Sequence, residues 1–214
     1  MRIIAHRGFW TDKNEKNKKT AFIRAFDFGI GTETDLRDYA GKILISHDMP
    51  NGYEITFEDL LNIMNGRNLL LALNIKADGL ADEIKNILLK YNHTNYFTFD
   101  MSIPDMVYQI NRGIKVFTGL SDIVKNPILL DKSKGIWLDS FYSDWFEEKI
   151  IDDLIGKTEK NNKKVCIVSA DLHKRDNKKQ WEIIKKCKYF ESDNLILCTD
   201  KVEEAFKYFL NAYI

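Results

Sequence analysis

The chain has 214 residues, of which 44% are hydrophobic and 30% charged, with Lys+Arg and Asp+Glu equal at 32 each. That length suits a single domain over residues 1–214 with a large core, and 3 Pro and 11 Gly exclude low-complexity character. Balanced charge excludes a global field for nucleic acid or an anionic membrane, and no apolar run approaches a membrane span. Any anion site must therefore be local. Cys166, Cys187 and Cys198 lack CxxC or metal spacing and read as reduced interior thiols, and MRIIAHRG lacks the apolar core of a signal peptide, so a cytoplasmic, soluble protein is expected. The Lys13 to Lys19 segment reads as a solvated loop entering a helix.

Strand and helix patterns alternate throughout. A strand at Arg2 to His6 precedes a helix near Thr20 to Phe28, where Phe22, Ala25, Phe26 and Gly29 keep helical spacing. A strand at Thr32 to Asp38 turns through Ala40-Gly41 into an extended arm, Ile43 to His47. Thr56, with Asp59 three residues on, opens a helix running to Met64. The stretch LLLALNIKADG, Leu69 to Gly79, reads as a buried strand before a helix from Leu80 to Tyr91. Then come YFTFD with a helix from Pro104 to Arg112, IKVFTG with a short piece after Pro127, and GIWLDS with a helix from Phe146 to Ile155. KVCIVSA precedes a helix from Lys178 to Cys187, and NLILCTD precedes one from Val202 towards Tyr213. Eight strand-helix units predict an α/β fold, a compact (β/α)8 TIM barrel; the alternative is an open doubly wound sheet, for which no Gly-rich nucleotide motif speaks.

In a barrel the chemistry collects where strands end. Glu33 and Asp35, two apart in TETDL, project from one strand face, and paired carboxylates there favour a hard divalent cation, Mg²⁺ or Ca²⁺; the alternative is a pair of solvated charges. His6 and His47 close two other extended segments and suit general acid and base near neutral pH. His93, in a loop, is the histidine expected to do nothing. Arg7 and Lys76 add cations suited to a phosphate oxyanion. His173 and Arg175 follow the seventh barrel strand, where barrels often bind phosphate, or form a surface basic loop. Asn74 and Lys76 share one face of their strand. Phe9, Trp10, Phe141, Tyr142 and Trp145 cluster at strand-end loops, as an organic leaving-group pocket, a lid or a contact surface.

Together, His6-Arg7-Gly8 after an apolar strand, Ala21-Phe22 with Ala25 and Gly29, Glu33-x-Asp35, and His47-Asp48 resemble the glycerophosphodiester phosphodiesterase family, with Cys198-Thr199-Asp200 extending the likeness weakly to the end. The resemblance implies a TIM barrel that hydrolyses a small glycerophosphodiester with a divalent metal: His6 and His47 as acid and base, Glu33 and Asp35 as metal ligands, Arg7 on phosphate. A substrate hydroxyl attacks phosphorus there, giving a cyclic phosphate that water opens; the related phospholipase D toxins stop at the cyclic product. Three departures stand out. The family's Pro-Glu-Asn-Thr is here Glu15-Lys16-Asn17-Lys18, its Glu-x-Lys is Asn74-Ile75-Lys76, and its final Thr-Asp is followed by Lys201 instead of proline. Asn74 could still ligate a cation but brings no charge, and with Lys16 it implies a more electropositive pocket. A cyclising lyase and a non-catalytic barrel that binds a phosphorylated ligand are the alternative functions.

Overall fold

The computed structural model describes residues 1–159 and 163–211. Its elements are β1 (Arg2–His6), α1 (Lys19–Asp27), β2 (Gly31–Tyr39), β3 (Lys42–Ile45), α2 (Phe57–Met64), β4 (Leu71–Ile75), α3 (Ala81–Lys90), β5 (Tyr96–Phe99) and α4 (Ile103–Asn111). They continue with β6 (Phe117–Leu120), β7 (Gly135–Leu138), α5 (Glu148–Glu159), β8 (Lys164–Val168), α6 (Lys178–Lys186), β9 (Leu195–Thr199) and α7 (Val202–Leu210). Helix α7 stops where Asn211 turns left-handed at φ 51; Tyr213, towards which the sequence extends it, lies outside the described residues.

The hydrogen-bonded strand order is β5-β4-β2-β1-β9-β8-β7-β6, with β3 attached to β2. The β2–β3 pair is antiparallel, whereas β2–β4, β4–β5, β6–β7, β7–β8 and β8–β9 are parallel. Thr98 in β5 makes a parallel bridge to Val116, at the entrance to β6. This strand order is that of a nearly closed (β/α)8 barrel and not of an open doubly wound sheet. One predicted piece is absent. Residues 121–134 form turns: Ser121 Oγ accepts from the N–H groups of Ile123 and Val124, and Leu129, at φ 52, lends its carbonyl to Lys132 and Ser133. Pro127 and the short LLD stretch leave no room for a propagated helix.

The chain comprises two compact units, one of Ala5–Val116 and one of Met1–Ile4 with Phe117–Ile214. In the first, α2 starts on a reciprocal cap, Thr56 Oγ1 accepting from Asp59 N–H while the Asp59 carboxylate accepts from Thr56 N–H. The hairpin turn takes positive φ at both Ala40 and Gly41, 48° and 75°, which matches the twist of its strands. Phe22 and Phe26 of α1 stack at 6.2 Å, and the side chains of Phe57, Leu60, Leu71, Leu73, Phe97 and Phe99 are buried. Each such side chain contributes on the order of 1.5–3 kcal/mol of burial. In the second unit Ile136, Leu138, Val165, Ile167, Leu195 and Leu197 from three strands share a core with Trp181, Ile184 and Phe209 from two helices. Those strands are buried on both faces, as parallel strands covered by helices must be.

Candidate active site

The site is built in the Ala5–Val116 unit, from the turn that leaves β1. Arg7 and Gly8 both take positive φ, 58° and 85°, and a Cβ on Gly8 would meet the Ala21 Cβ at 2.7 Å. Only glycine fits there. The turn is tied to β2 by Arg7 N–H donating to Glu33 O at 2.9 Å and Gly8 N–H donating to Thr32 Oγ1 at 2.8 Å. This fixes His6 and Arg7 beside the carboxylates of β2.

Asp35 is fully buried and is the hub. Asn17 Nδ2 donates to its Oδ2 at 2.8 Å, Arg7 Nε lies 2.9 Å from the same oxygen as an ion pair without hydrogen-bond alignment, and Lys76 Nζ lies 3.5 Å from Oδ1. Asn17 is itself held, its Oδ1 accepting from Thr34 Oγ1 at 2.9 Å. One carboxylate thereby gathers two cations whose side chains remain 21% exposed. Glu33 stands differently. Its carboxylate is 2% exposed, 3.7 Å from His6 Nε2, and burial first, then the charge of Asp35, pushes its pKa well above the ordinary carboxylate value.

Asn74, in register with Asp35 on one side and Phe99 on the other, donates from Nδ2 to Asp100 Oδ2 at 3.3 Å. Among the described residues no group of three or more His, Cys, Asp or Glu side chains is arranged to hold a metal ion. The donors nevertheless suit a hard cation once the amide is counted: Glu33 Oε2, Asp35 Oδ1 and Asn74 Oδ1 are all buried without a hydrogen-bond partner.

His47 lies beyond β3 with its side chain 46% exposed, its Nδ1 2.9 Å from Asp48 Oδ1. Arg7 and Arg37 both help to hold the Asp48 carboxyl below its ordinary pKa, after its hydrogen bond to His47. His93 is buried against Asn95 O at 3.1 Å, a structural histidine. Lys16 Nζ sits 4.4 Å over the Trp10 ring, so its charge is directed at an aromatic face. Phe9 is 7% exposed and packs edge-on against Phe28, a core residue and not a pocket wall.

The other unit carries a separate rim cluster. His173 Nε2 meets Asp139 Oδ1 at 2.7 Å, which raises the His173 pKa above 6.5, and Phe141 covers its ring at 5.1 Å. Arg175 donates to Asp144 Oδ1 at 2.7 Å and to Ser140 O at 2.6 Å. Asp122 accepts from the N–H groups of Phe141, Tyr142 and Ser143, and Trp145 Nε1 donates to Asp139 O. His173 and Arg175 are thus held by carboxylates, and the aromatic segment 141–145 is pinned through its backbone.

His6, Arg7, Glu33, Asp35, Asn74 and Lys76 lie together in this unit. Asn17, Thr32 and Asp100 were missed as site residues. Asn17 had a signal, as the one survivor of the altered Pro-Glu-Asn-Thr segment; Asp100 had only its place after a strand.

No protein-family model matches the sequence, and no curated protein matches it. Solved structures do match. A glycerophosphodiester phosphodiesterase from Agrobacterium tumefaciens superposes with TM-score 0.67 at 15% identity, over 94% of this chain and 95% of that one. A phosphodiesterase from Oleispira antarctica, solved with the product sn-glycerol-3-phosphate, gives 0.64 at 14% identity over 97% of each chain. A glycerophosphoryl diester phosphodiesterase from Parabacteroides distasonis gives 0.65 at 12% identity, over 96% of this chain and 86% of that one. The chain has the fold of these phosphodiesterases across nearly its whole length.

Proposed function

We propose that this chain, folded like the glycerophosphodiester phosphodiesterases, is a phosphoric diester hydrolase acting on a small glycerophosphodiester, as one cytoplasmic domain serving lipid turnover. The observation that carries the reading is the hub at Asp35, where a buried carboxylate holds Arg7 at 2.9 Å and Lys76 at 3.5 Å. Two cations anchored from below and open above suit the non-bridging oxygens of a phosphodiester. His173 and Arg175 are weaker candidates for phosphate contact, since each must leave its carboxylate before it meets a phosphate.

His6 and His47 divide the proton work. His6, whose Nε2 lies 3.7 Å from Glu33 Oε2 beside the Asp35 hub, suits the acid that donates to the leaving alcohol. His47, its Nδ1 2.9 Å from Asp48 Oδ1, suits the base that takes the proton of the attacking hydroxyl. Glu33, Asp35 and Asn74 are the residues that would hold a divalent cation, Mg²⁺ or Ca²⁺. When bound, that cation supplies electrostatic stabilisation of charge growing on the phosphoryl oxygens.

The test is to incubate purified protein with glycerophosphocholine and either Mg²⁺ or Ca²⁺ and to follow products by ³¹P NMR. Glycerol phosphate is expected, with turnover lost in His6→Ala. Cyclic phosphate as the only product would turn the reading to a cyclising lyase. No cleavage, with saturable binding of the diester, would turn it to a non-catalytic binding barrel.

A further inference from the structure

The amide of Asn74 has two ends, and the structure decides which faces the carboxylates of β2. An amide group presents N–H₂ on one edge and carbonyl oxygen on the other, so committing one edge fixes the other. Asn74 stands between Asp35 of β2 and Phe99 of β5 in the parallel register. Its N–H₂ edge donates towards the β5 side, to Asp100 Oδ2 at 3.3 Å. Its carbonyl edge is therefore turned towards β2. That oxygen is buried, 8% of the residue being exposed, and has no hydrogen-bond partner, like Glu33 Oε2 and Asp35 Oδ1.

This orientation is the unfavourable one for a bare site. Without a constraint, an amide beside two ionised carboxylates, the state a cation requires, would turn its N–H₂ edge to them and satisfy the buried oxygens. Asp100 opposes that choice, because the reversed amide would place carbonyl against carboxylate. Asp100 also takes φ 63, a left-handed conformation that aspartate and asparagine adopt more readily than most residues other than glycine. That backbone directs the residue following β5 and keeps its carboxylate on Asn74.

We propose that Asp100 is a positioning residue that locks the Asn74 amide with Oδ1 inward, which converts an uncharged side chain into the third ligand of a divalent-cation site formed with Glu33 and Asp35. The inference rests on the cation reading given above. It identifies which residue offsets the missing carboxylate at position 74, acting through the amide and not by touching the cation. It also assigns the cation a reason to bind there: Glu33 Oε2, Asp35 Oδ1 and Asn74 Oδ1 are buried without a hydrogen bond, the first two having only His6 at 3.7 Å and Lys76 at 3.5 Å beside them.

The experiment is calcium and magnesium titration of the full chain by calorimetry, independent of turnover. Asp100→Gly removes the lock and tolerates the left-handed backbone. Calcium affinity is expected to fall about 10- to 100-fold, the range seen when residues behind a metal ligand are removed. Asn74→Asp in the Asp100→Gly background is expected to restore affinity to within about threefold, since either carboxylate oxygen can face inward and no lock is needed. That rescue separates lost orientation from lost folding, which circular dichroism of each variant also monitors. Unchanged affinity in Asp100→Gly, with Glu33→Gln still abolishing binding, overturns the proposal and leaves the cation reading standing. No binding by the wild-type chain, or binding insensitive to Glu33→Gln, overturns both.

Discussion

The two units carry comparable sets of strand-end side chains and use them in opposite ways. In Ala5–Val116 the carboxylate oxygens of Glu33 and Asp35 include buried atoms without hydrogen bonds, and the cations Arg7 and Lys76 converge on one acid. In Phe117–Ile214 Asp122, Asp139, Asp144 and Asp171 all accept hydrogen bonds, and His173 and Arg175 each have an acid of their own. Buried polar atoms without a hydrogen bond are rare and expensive; in the first unit three such oxygens, on Glu33, Asp35 and Asn74, belong to neighbouring strand positions, whereas Ser140 Oγ, Asp152 Oδ1 and Arg175 Nε in the second belong to residues that do not share one acidic site. Satisfied pairs mark a clasp. The difference teaches that residue type at a strand end is a weaker guide to chemistry than whether its partners are already supplied.

The largest effects should separate the two regions by activity. His6→Ala is expected to lower kcat/KM by about 10²- to 10⁴-fold, the usual worth of a proton-transfer residue, and His173→Ala by less than about tenfold. Steady-state cleavage of a chromogenic phosphodiester measures both, and equal losses would erase the contrast. Stability should separate them next. Asp35→Ala leaves Arg7 and Lys76 without their buried counter-charge and is expected to cost about 3–5 kcal/mol in urea unfolding. Asp144→Ala, at a pair whose side chains are each 23% exposed, is expected to cost under about 1 kcal/mol.

A smaller effect sharpens the clasp. Asp139 raises the His173 pKa above its ordinary 6.5 through their hydrogen bond. The folded state therefore binds the proton more tightly, so this pair stabilises fully below pH 6.5 and loses its contribution as pH rises through the raised value. In an NMR titration Asp139→Asn should move the His173 midpoint downward; an unmoved midpoint would show that the pair is not formed in solution. The smallest effect belongs to the arm bearing His47. Ala40 sits at φ 48 in the hairpin turn, and Ala40→Asn should raise stability by about 0.5–1 kcal/mol in the same urea assay.

Much of this was legible in the chain. Alternating apolar runs and helical spacing located every strand among the described residues, and the spacing of Glu33 and Asp35 placed them on one face of β2. The failures are of two physical kinds. The piece after Pro127 carries apolar residues but too few to nucleate a turn of helix, so composition suggested structure that cooperativity denies. Asn17 and Asp100 act on residues 18 and 26 positions away in sequence, through register and turn geometry that no local pattern encodes. Phe9 likewise looked like a pocket residue because aromatic character does not say which way a loop folds.

The turns at residues 121–134 bring a kinetic consequence. Where the other parallel connections wrap a strand with a helix, this one leaves Ile123, Val124 and Ile128 at 56%, 43% and 40% exposure over a segment with few backbone hydrogen bonds. Local opening draws on such thinly bonded stretches first. Amide protons around 121–134 should therefore exchange with solvent deuterium before those of any central strand, and a protease added to the native protein should make its first cut there.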